Sequence, residues 1–544
     1  MTDPSKSDYA RHLADELMAG RLGRREFIRK ATLFGLSSSA AAALLVACGG
    51  GGNGSPSAAT GARRGGTMRV ATGTPTAALD PVTMYDSASI ATVQQVAEYL
   101  IWVNNDLSLR PVLAESWASS NGGQTWTFTL RQGVNFQDGT PFTAKDVVTT
   151  FERLVSPNSG SAALSNLKGI LSPGNVSSPS PGQVTFQLDR PFVDFPYMVS
   201  STNYNAVILP ASYLGAWEKK PVGTGPFTLS SYTTGQRATF SRNQSYWQTG
   251  LPYLEGVEIH YFATTQSQVL AMEGGAVDMM QLTFYEGAQP LFSKSGVRIL
   301  SAKSSLYREF HMRVDAPPFT DKRVRQAVAL TLNRDQIKTS LFGGRAQIGD
   351  DHAFAPVFPI SPSLPLRKQD LQRARSLLHA AGHPNGVNVT LSLEDVGEIP
   401  QYAQLIQAMA KPAGIQIKLD VMPQATYYGS GSNQPWLEVP MGIVDWGARA
   451  VPSQVILPAY ACGGIWNSSH WCDETFTNLA RQLDATLDES LRRTIATQMA
   501  TIQKDATPAV IAYWIEALRA TSDRVGGVQA DGTGFLDLTR ATLS

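Results

Sequence analysis

The sequence predicts an α/β protein built as several lobes. Three observations lead there: chain length, segments that alternate apolar and polar residues, and segments with helical period and helical caps. The chain has 544 residues, and even without its leader it exceeds what one hydrophobic core serves, so two or three lobes are expected.

In chain order, residues 1 to 47 read as a signal peptide. Arg21, Arg24, Arg25, Arg29 and Lys30 precede an apolar run from 33 to 47 that is too short and too rich in Ala and Ser for a comfortable membrane span. The Arg24-Arg25-Glu26-Phe27 string looks like a twin-arginine export signal, and Leu45-Val46-Ala47-Cys48 looks like a bacterial lipobox, with Cys48 as the lipidated first residue after cleavage. Residues 48 to 64 are Gly- and Ser-rich and read as a flexible tether. Gly49, Gly51 and Gly54 match the spacing of a dinucleotide fingerprint, but no strand precedes them and no helix follows, so that site is excluded.

The globular part begins near residue 65. Thr125–Leu130 alternates strictly, with Trp126, Phe128 and Leu130 on one face, and residues 183 to 188 repeat the pattern with Val184, Phe186 and Leu188. Both are expected to be half-buried strands. Thr143 with Asp146 three residues on forms a capping box, opening a helix whose apolar face carries Val147, Phe151 and Leu154. A second helix is expected to begin near Thr320 and bury Val324, Ala327 and Val328. A third runs from Asp370 through Leu371, Ala374 and Leu378 to a terminal Gly382. Residues 475 to 504 read as one longer helical segment, and no internal repeat is present.

Composition excludes several functions. Lys and Arg number 45 against 44 Asp and Glu, which leaves no electrostatic footprint for nucleic acid. With Cys48 assigned to lipid, Cys462 and Cys472 remain as an even pair outside the cytoplasm, either joined or present as two buried thiols. There is no nucleophile elbow, no phosphate-cradling loop and no zinc-protease motif. His379 and His383 have zinc-pair spacing, yet Gly382 and Pro384 end the helix there, and no metal is expected. Asp350-Asp351-His352 reads as a turn before the Pro-rich stretch 356 to 365 as readily as an acid/base group.

Longer strings carry a family resemblance. Leu113-Ala114-Glu115-Ser116-Trp117, then residues 125 to 134 and Asp138-Gly139-Thr140-Pro141-Phe142-Thr143, resemble the signature of bacterial extracellular solute-binding proteins of family 5, the peptide/nickel-binding components of ABC importers. Further matches are Pro221-Val222-Gly223-Thr224-Gly225-Pro226-Phe227, Asn243 with Tyr246-Trp247, Pro318-Phe319-Thr320-Asp321 with Val324-Arg325-Gln326-Ala327, and Ala381-Gly382.

The resemblance implies a three-lobed, hinged fold of the periplasmic-binding-protein type, class II-like, that holds a solute without covalent chemistry or cofactor. Lobe I would comprise residues 65–98, 220–298 and 512–544, lobe II 99–219, and lobe III 299–511, with the solute between lobes I and III. Peptide-binding members place a carboxylate in a Trp-x-x-Asp string of lobe III. The matching string here is Trp446-Gly447-Ala448-Arg449. A guanidinium at that position suits an anionic group and repels an ammonium, unless Arg449 is a solvated loop residue. Asp445 beside it is read as neutralising Arg449 or sharing its role, and Trp446 as an aromatic platform or plain core. Tyr85 and Asp86 in a lobe I loop, and Gln424 in lobe III, are weaker contact candidates. The interval from Cys462 to Cys472 resembles a disulfide loop of dipeptide-binding relatives, which favours the joined pair.

The expectation is therefore an extracytoplasmic, lipid-anchored binding protein, monomeric, at the periplasm or the outer face of the cell membrane. It would pass a peptide-like or other small polar solute, anionic ones among the candidates, to ABC permease subunits. A secreted enzyme exported by the twin-arginine route, or a binding subunit feeding a signalling receptor, are the alternatives.

Overall fold

The computed structural model describes residues 64–76, 79–429 and 433–544. The signal peptide at 1–47, Cys48 and the tether up to residue 63 lie outside the described residues. Among the described residues no helix is long and apolar enough to cross a membrane.

The strands, in chain order, are β1 (Thr67–Gly73), β2 (Ile101–Val103), β3 (Leu109–Pro111), β4 (Ala114–Ser120), β5 (Thr125–Leu130), β6 (Val176–Ser180), β7 (Gln183–Gln187), β8 (Phe227–Thr233) and β9 (Arg237–Arg242). They continue as β10 (Gly256–Phe262), β11 (Met279–Met280), β12 (Val297–Met312), β13 (Ala346–Ile348), β14 (Val387–Glu394), β15 (Ile415–Met422), β16 (Met441–Trp446), β17 (Ala509–Ser522), β18 (Val525–Gly526) and β19 (Thr542–Leu543). An eleven-stranded sheet runs β15-β14-β16-β12-β17-β11-β1-β10-β9-β8, with β13 also on β17. Its middle is the antiparallel pair β12 and β17, the longest strands described, and the two ends of the sheet are joined through them.

On one side β14 is parallel to both β15 and β16. Parallel neighbours require a crossover, supplied between β14 and β15 by the helix Ile399–Ala410, whose Tyr402, Ala403 and Ile406 pack into the core. On the other side β1 is parallel to β10 and β11. The β12–β17 ladder loses register between Ala302 and Leu306, so a bulge holding Ser304 and Ser305 interrupts the pair.

A separate four-stranded sheet, β4-β5-β7-β6, contains the predicted strands. Trp126, Phe128 and Leu130 are buried as alternation requires, and Phe128, Phe186 and Phe195 pack in edge-on and tilted contacts. The strand expected over 183 to 188 stops at Gln187, with Leu188 still buried. Thr143 and Asp146 form the capping box, and the helix expected near Thr320 is Lys322–Leu330, capped by Asp321. The helix from Asp370 is Leu371–Ala380, with Gly382 beyond it at φ 86°.

The segment 475 to 504 departs from expectation. It is two helices, Glu474–Ala485 and Glu489–Ala506, because Thr486 turns extended and Asp488 caps the second by accepting from the Leu491 amide. Cys462 and Cys472 are joined, which removes the alternative of two thiols. Asp351 is fully buried against Arg334 and Arg367, at 2.8 and 2.9 Å, so the 350–352 string is an ion-paired turn.

The Gly-Thr-Gly-Pro and Tyr-Trp strings meet at one buried carboxyl. Glu98 accepts from Thr224 Oγ1 at 2.8 Å, Tyr246 Oη at 2.7 Å and Trp247 Nε1 at 2.8 Å. Burial pushes its pKa up to about 7, against the pull of those three donors. Gly223 lies so close to Val96 that an added Cβ would stand 2.1 Å from the Val96 carbonyl oxygen, so the string needs glycine there. Gln137 ties the same loop down by donating to Phe227 O at 2.8 Å.

Candidate functional site

Strand alternation on β12 divides the candidate residues between two faces of the sheet. Tyr307 is opposite Trp446 and Arg308 is opposite Asp445. Tyr307, Glu309 and Trp446 therefore share one face, and Arg308 and Asp445 the other.

A polar network gathers at the strand ends beside Asp445. Tyr428 Oη is 2.5 Å from Asp445 Oδ1 and 3.1 Å from Glu394 Oε1. Gln424 Nε2 donates to Glu394 Oε2 at 2.8 Å. Glu394 ends β14, Asp445 is next to last in β16, and Gln424 and Tyr428 follow β15 directly in the short helix Gln424–Tyr428. The carboxyl ends of three parallel strands thus converge, which is where open α/β sheets leave a crevice for ligands.

The network is short of positive charge. A phenol has one proton, and Tyr428 has two carboxylate oxygens to serve. Burial, then the nearby charge of Asp445, raises the Tyr428 pKa, so the phenol keeps that proton. Glu394 is raised by burial and then by Asp445, with Gln424, Tyr428 and Arg308 acting the other way. Among the described residues neither Glu394 nor Asp445 has an ion-pair partner. The nearest guanidinium, Arg308, is turned to Glu398 at 3.2 Å and to Tyr307 O at 3.3 Å. Burial disfavours its charge, but Glu398, Tyr513, Asp445 and Glu394 outweigh that and keep it protonated.

Arg449 sits just beyond β16. Its amide donates to Ser305 Oγ at 2.7 Å and Ser305 Oγ donates back to Arg449 O at 2.6 Å, so the loop is fastened to the β12 bulge. Arg449 lines a narrow cleft together with Asn105, Thr202, Lys303, Asp531 and Thr533. Among the described residues its side chain makes one hydrogen bond, to Ala448 O at 3.2 Å, and no carboxylate pairs with it. Burial lowers its pKa; Tyr204, Tyr307 and Asp445 pull the other way without forming a bridge. Asp445 hydrogen-bonds Tyr428, and its charge acts on Arg449 without an ion pair.

The remaining candidates are placed differently. Trp446 is 5% exposed, stacked on Tyr307 at 6.1 Å with a 12° tilt and set against Trp466. That is a packed interior position. Beneath it, burial lifts the Glu309 pKa to about 7, opposed by the Tyr460 phenol. Asp86 caps the helix Ser87–Val93, accepting from Ser89 N at 2.9 Å and Ser89 Oγ at 2.7 Å, and Tyr85 is 60% exposed. Neither shares a hydrogen bond with Arg449, Asp445 or Gln424. The structure therefore unites Asp445 with Gln424 and sets Arg449 on a cleft. It adds Glu394, Tyr428, Arg308 and Ser305, which sequence reasoning missed. One signal was available: Val387, Val389, Leu391 and Leu393 alternate up to a terminal Glu394, a carboxylate at a strand's carboxyl end.

The family described as Bacterial extracellular solute-binding proteins, family 5 Middle, matches residues 108–468. The glutathione-binding protein GsiB of Escherichia coli strain K12 is 27% identical over 435 residues, covering 79% of this chain and 83% of its own. Among solved structures, HbpA2 from Haemophilus parasuis superposes with TM-score 0.78 at 22% identity, covering 88% of this chain and all (100%) of that one. The periplasmic binding protein DppA from Helicobacter pylori, in complex with the peptide STSA, gives TM-score 0.70 at 23% identity, with 88% and 98% covered.

Proposed function

The chain belongs to the bacterial extracellular solute-binding proteins of family 5, and from that premise we propose that it captures a small zwitterionic, peptide-like solute and delivers it to the permease subunits of an ABC importer. A member of this family binds and does not catalyse. In this reading lobe I is residues 65–98, 220–298 and 512–544, lobe II 99–219 and lobe III 299–511, and the chain is a monomer held at the membrane by lipidated Cys48.

The observation that carries the reading is the charge imbalance at the two polar centres beyond β16 and β14. Among the described residues Arg449 has no carboxylate partner, and its guanidinium suits a carboxylate or phosphate. Among the described residues Glu394 and Asp445 have no ion-pair partner, which suits them to an ammonium or guanidinium. A solute bearing both charges completes both centres. Tyr85, Asp86 and Trp446 are outer contacts or scaffold in this scheme. GsiB, whose name assigns it glutathione, and DppA, seen with a peptide, bind molecules of that kind.

Native mass spectrometry of gently purified protein identifies the retained solute, and calorimetry then measures its affinity for Arg449 variants. Arg449→Ala leaves an anionic group buried without its partner, a loss on the order of 2 to 5 kcal/mol, roughly thirtyfold to several thousandfold. Arg449→Lys recovers part, since a point charge does not reproduce the planar fork. Binding within about twofold of the parent in both variants removes Arg449 from the site. For the anchor, Cys48→Ser is expected to release the protein from membranes, and an unchanged, detergent-requiring membrane fraction refutes the lipid.

A further inference from the structure

A second ionic cluster lies away from the proposed solute site. Arg190 and Asp194 belong to the chain just after β7, while Ser453, Asp484 and Arg492 belong to the helices Ser453–Tyr460, Glu474–Ala485 and Glu489–Ala506. Arg492 Nη1 and Nη2 donate to Asp194 Oδ1 and Oδ2 at 2.9 and 2.6 Å, a two-pronged pair. Arg190 Nη1 donates to Asp484 Oδ2 at 2.9 Å. Ser453 Oγ donates to Asp484 and stands 3.5 Å from Asp194 Oδ2, and the Val193 amide donates to Asp484 O at 2.8 Å. The two carboxylate side chains are 4% and 1% exposed, so these are interior contacts and not surface pairs.

Chain connectivity does not enforce this cluster. The segment 190–194 belongs to the chain excursion that carries the four-stranded sheet, and it leaves and rejoins the β1/β8–β10 end of the large sheet. The helices bearing Ser453, Asp484 and Arg492 lie on the excursion between β12 and β17, so their covalent link to the rest runs only through that pair. Rotation about the β12–β17 bulge at 302–306 therefore carries these helices away from 190–194. Gln137, by contrast, fixes the four-stranded-sheet excursion to the β8 end by donating to Gly225 O at 3.2 Å and Phe227 O at 2.8 Å.

The charges are arranged for reversible contact. Each side contributes one acid and one base: Arg190 and Asp194 on one, Asp484 and Arg492 on the other. Separation leaves no net charge on either face, and each acid has a base on its own side with which to pair. Cross-paired, both carboxylates are met by a guanidinium while shielded from water. Tyr197, the remaining titratable group near Asp194 and Arg492, is spent on Leu107 O.

We propose that Arg190, Asp194, Ser453, Asp484 and Arg492 form a clasp that holds lobe III shut against lobe II, setting the closed population without touching solute. The inference rests on the hinged-lobe reading above but not on the identity of the solute. A residue in such a clasp governs apparent affinity through the fraction of closed molecules, as closure scales every solute's binding by that fraction.

The test needs no solute. Spin labels on ketone-bearing residues at exposed Ser177 and Ser490 leave the disulfide untouched and report the distance between the two excursions by pulsed electron resonance on the full chain. The parent is expected to populate the short distance. Asp194→Asn and Arg492→Gln each lower the ratio of short to long distance at least about tenfold, because a buried charge loses its partner. The exchange Asp194→Arg with Arg492→Asp brings the ratio back to within about threefold of the parent. Thermal melting confirms that each variant is folded, and Ser453→Ala provides a milder variant if the charged ones melt early. An unchanged distance ratio in folded variants overturns the clasp, as does a shift that the exchange does not reverse. Since solute is absent, neither outcome bears on Arg449.

Discussion

Two carboxyl centres sit in this molecule in opposite circumstances. Glu98 is met by three neutral donors from separate loops, each aimed at it with ordinary hydrogen-bond length. Glu394 and Asp445 share one phenol and lie close enough to repel, with no cation of their own among the described residues. A carboxyl whose donors are all supplied by the protein has no need of a ligand, and it joins segments. A carboxylate pair one proton short is incomplete until something positive arrives. Glu98 and Glu394 are both buried with a raised pKa, so those properties alone do not separate scaffold from site. The count of donors against acceptors does.

The largest effect that sharpens this contrast is in stability. Glu98→Ala strands the Thr224 hydroxyl, the Tyr246 phenol and the Trp247 indole together, and opens a cavity. With about 1 to 3 kcal/mol per unsatisfied buried group, discounted because the hydroxyls rotate, a loss of about 3 to 5 kcal/mol is expected in urea unfolding. Solute affinity of the folded fraction stays within about twofold. A stable variant that has lost its solute reverses the roles assigned to the two centres.

Next in size is the response to pH. The Glu98 carboxyl ordinarily titrates at 4.5 and is raised to about 7 in the fold. Between those values the folded chain holds a proton that the unfolded chain has released. Stability from this group is therefore fully present below about 4.5 and falls as pH rises to about 7, beyond which it is flat. Glu309, raised by burial to about 7, acts in the same direction, whereas His311, lowered by burial from 6.5 to about 4, loses stability as pH falls through that window. The sum is mixed, so the comparison of parent with Glu98→Gln is the informative one. From pH 5 to 7.5 the parent is expected to lose about 2 kcal/mol more than the variant. Parallel curves show that Glu98 does not carry the raised pKa.

How much of this was readable in the sequence depends on range. The strand of Trp126, Phe128 and Leu130, the Thr143–Asp146 cap and the Asp370 helix start follow from neighbours within a few residues, and all appear. The break at Thr486 was missed because apolar period continues across it, while the Asp488 cap that interrupts it is a single local signal. The motif strings marked the family, yet not that Thr224, Tyr246 and Trp247 converge on Glu98. Convergence of Glu394, Tyr428 and Asp445 requires the parallel register of β14 with β15 and β16, which no periodicity encodes. Trp446 shows the limit from the other side: an aromatic serves a ligand platform and a core equally well, and its stacking on Tyr307 distinguishes them only in three dimensions.

The smallest change in stability belongs to Asp445→Asn, and its sign is the useful part. The substitution keeps an acceptor for Tyr428 at nearly the same shape and removes one of two mutually repelling charges. Glu394, no longer facing a second carboxylate, ionises more readily, so folding stability is expected to stay level or rise by up to about 1 kcal/mol. Solute affinity moves the other way. A cationic group that met two carboxylates now meets one, and loss of a charge-assisted contact is worth about 1.5 to 3 kcal/mol, roughly tenfold to a hundredfold in calorimetric affinity. Gain in one measurement and loss in the other is the mark of a residue held for binding at the expense of the fold. A variant that loses stability while binding as before places Asp445 beside Glu98, as a structural acceptor that happens to lie at the end of a strand.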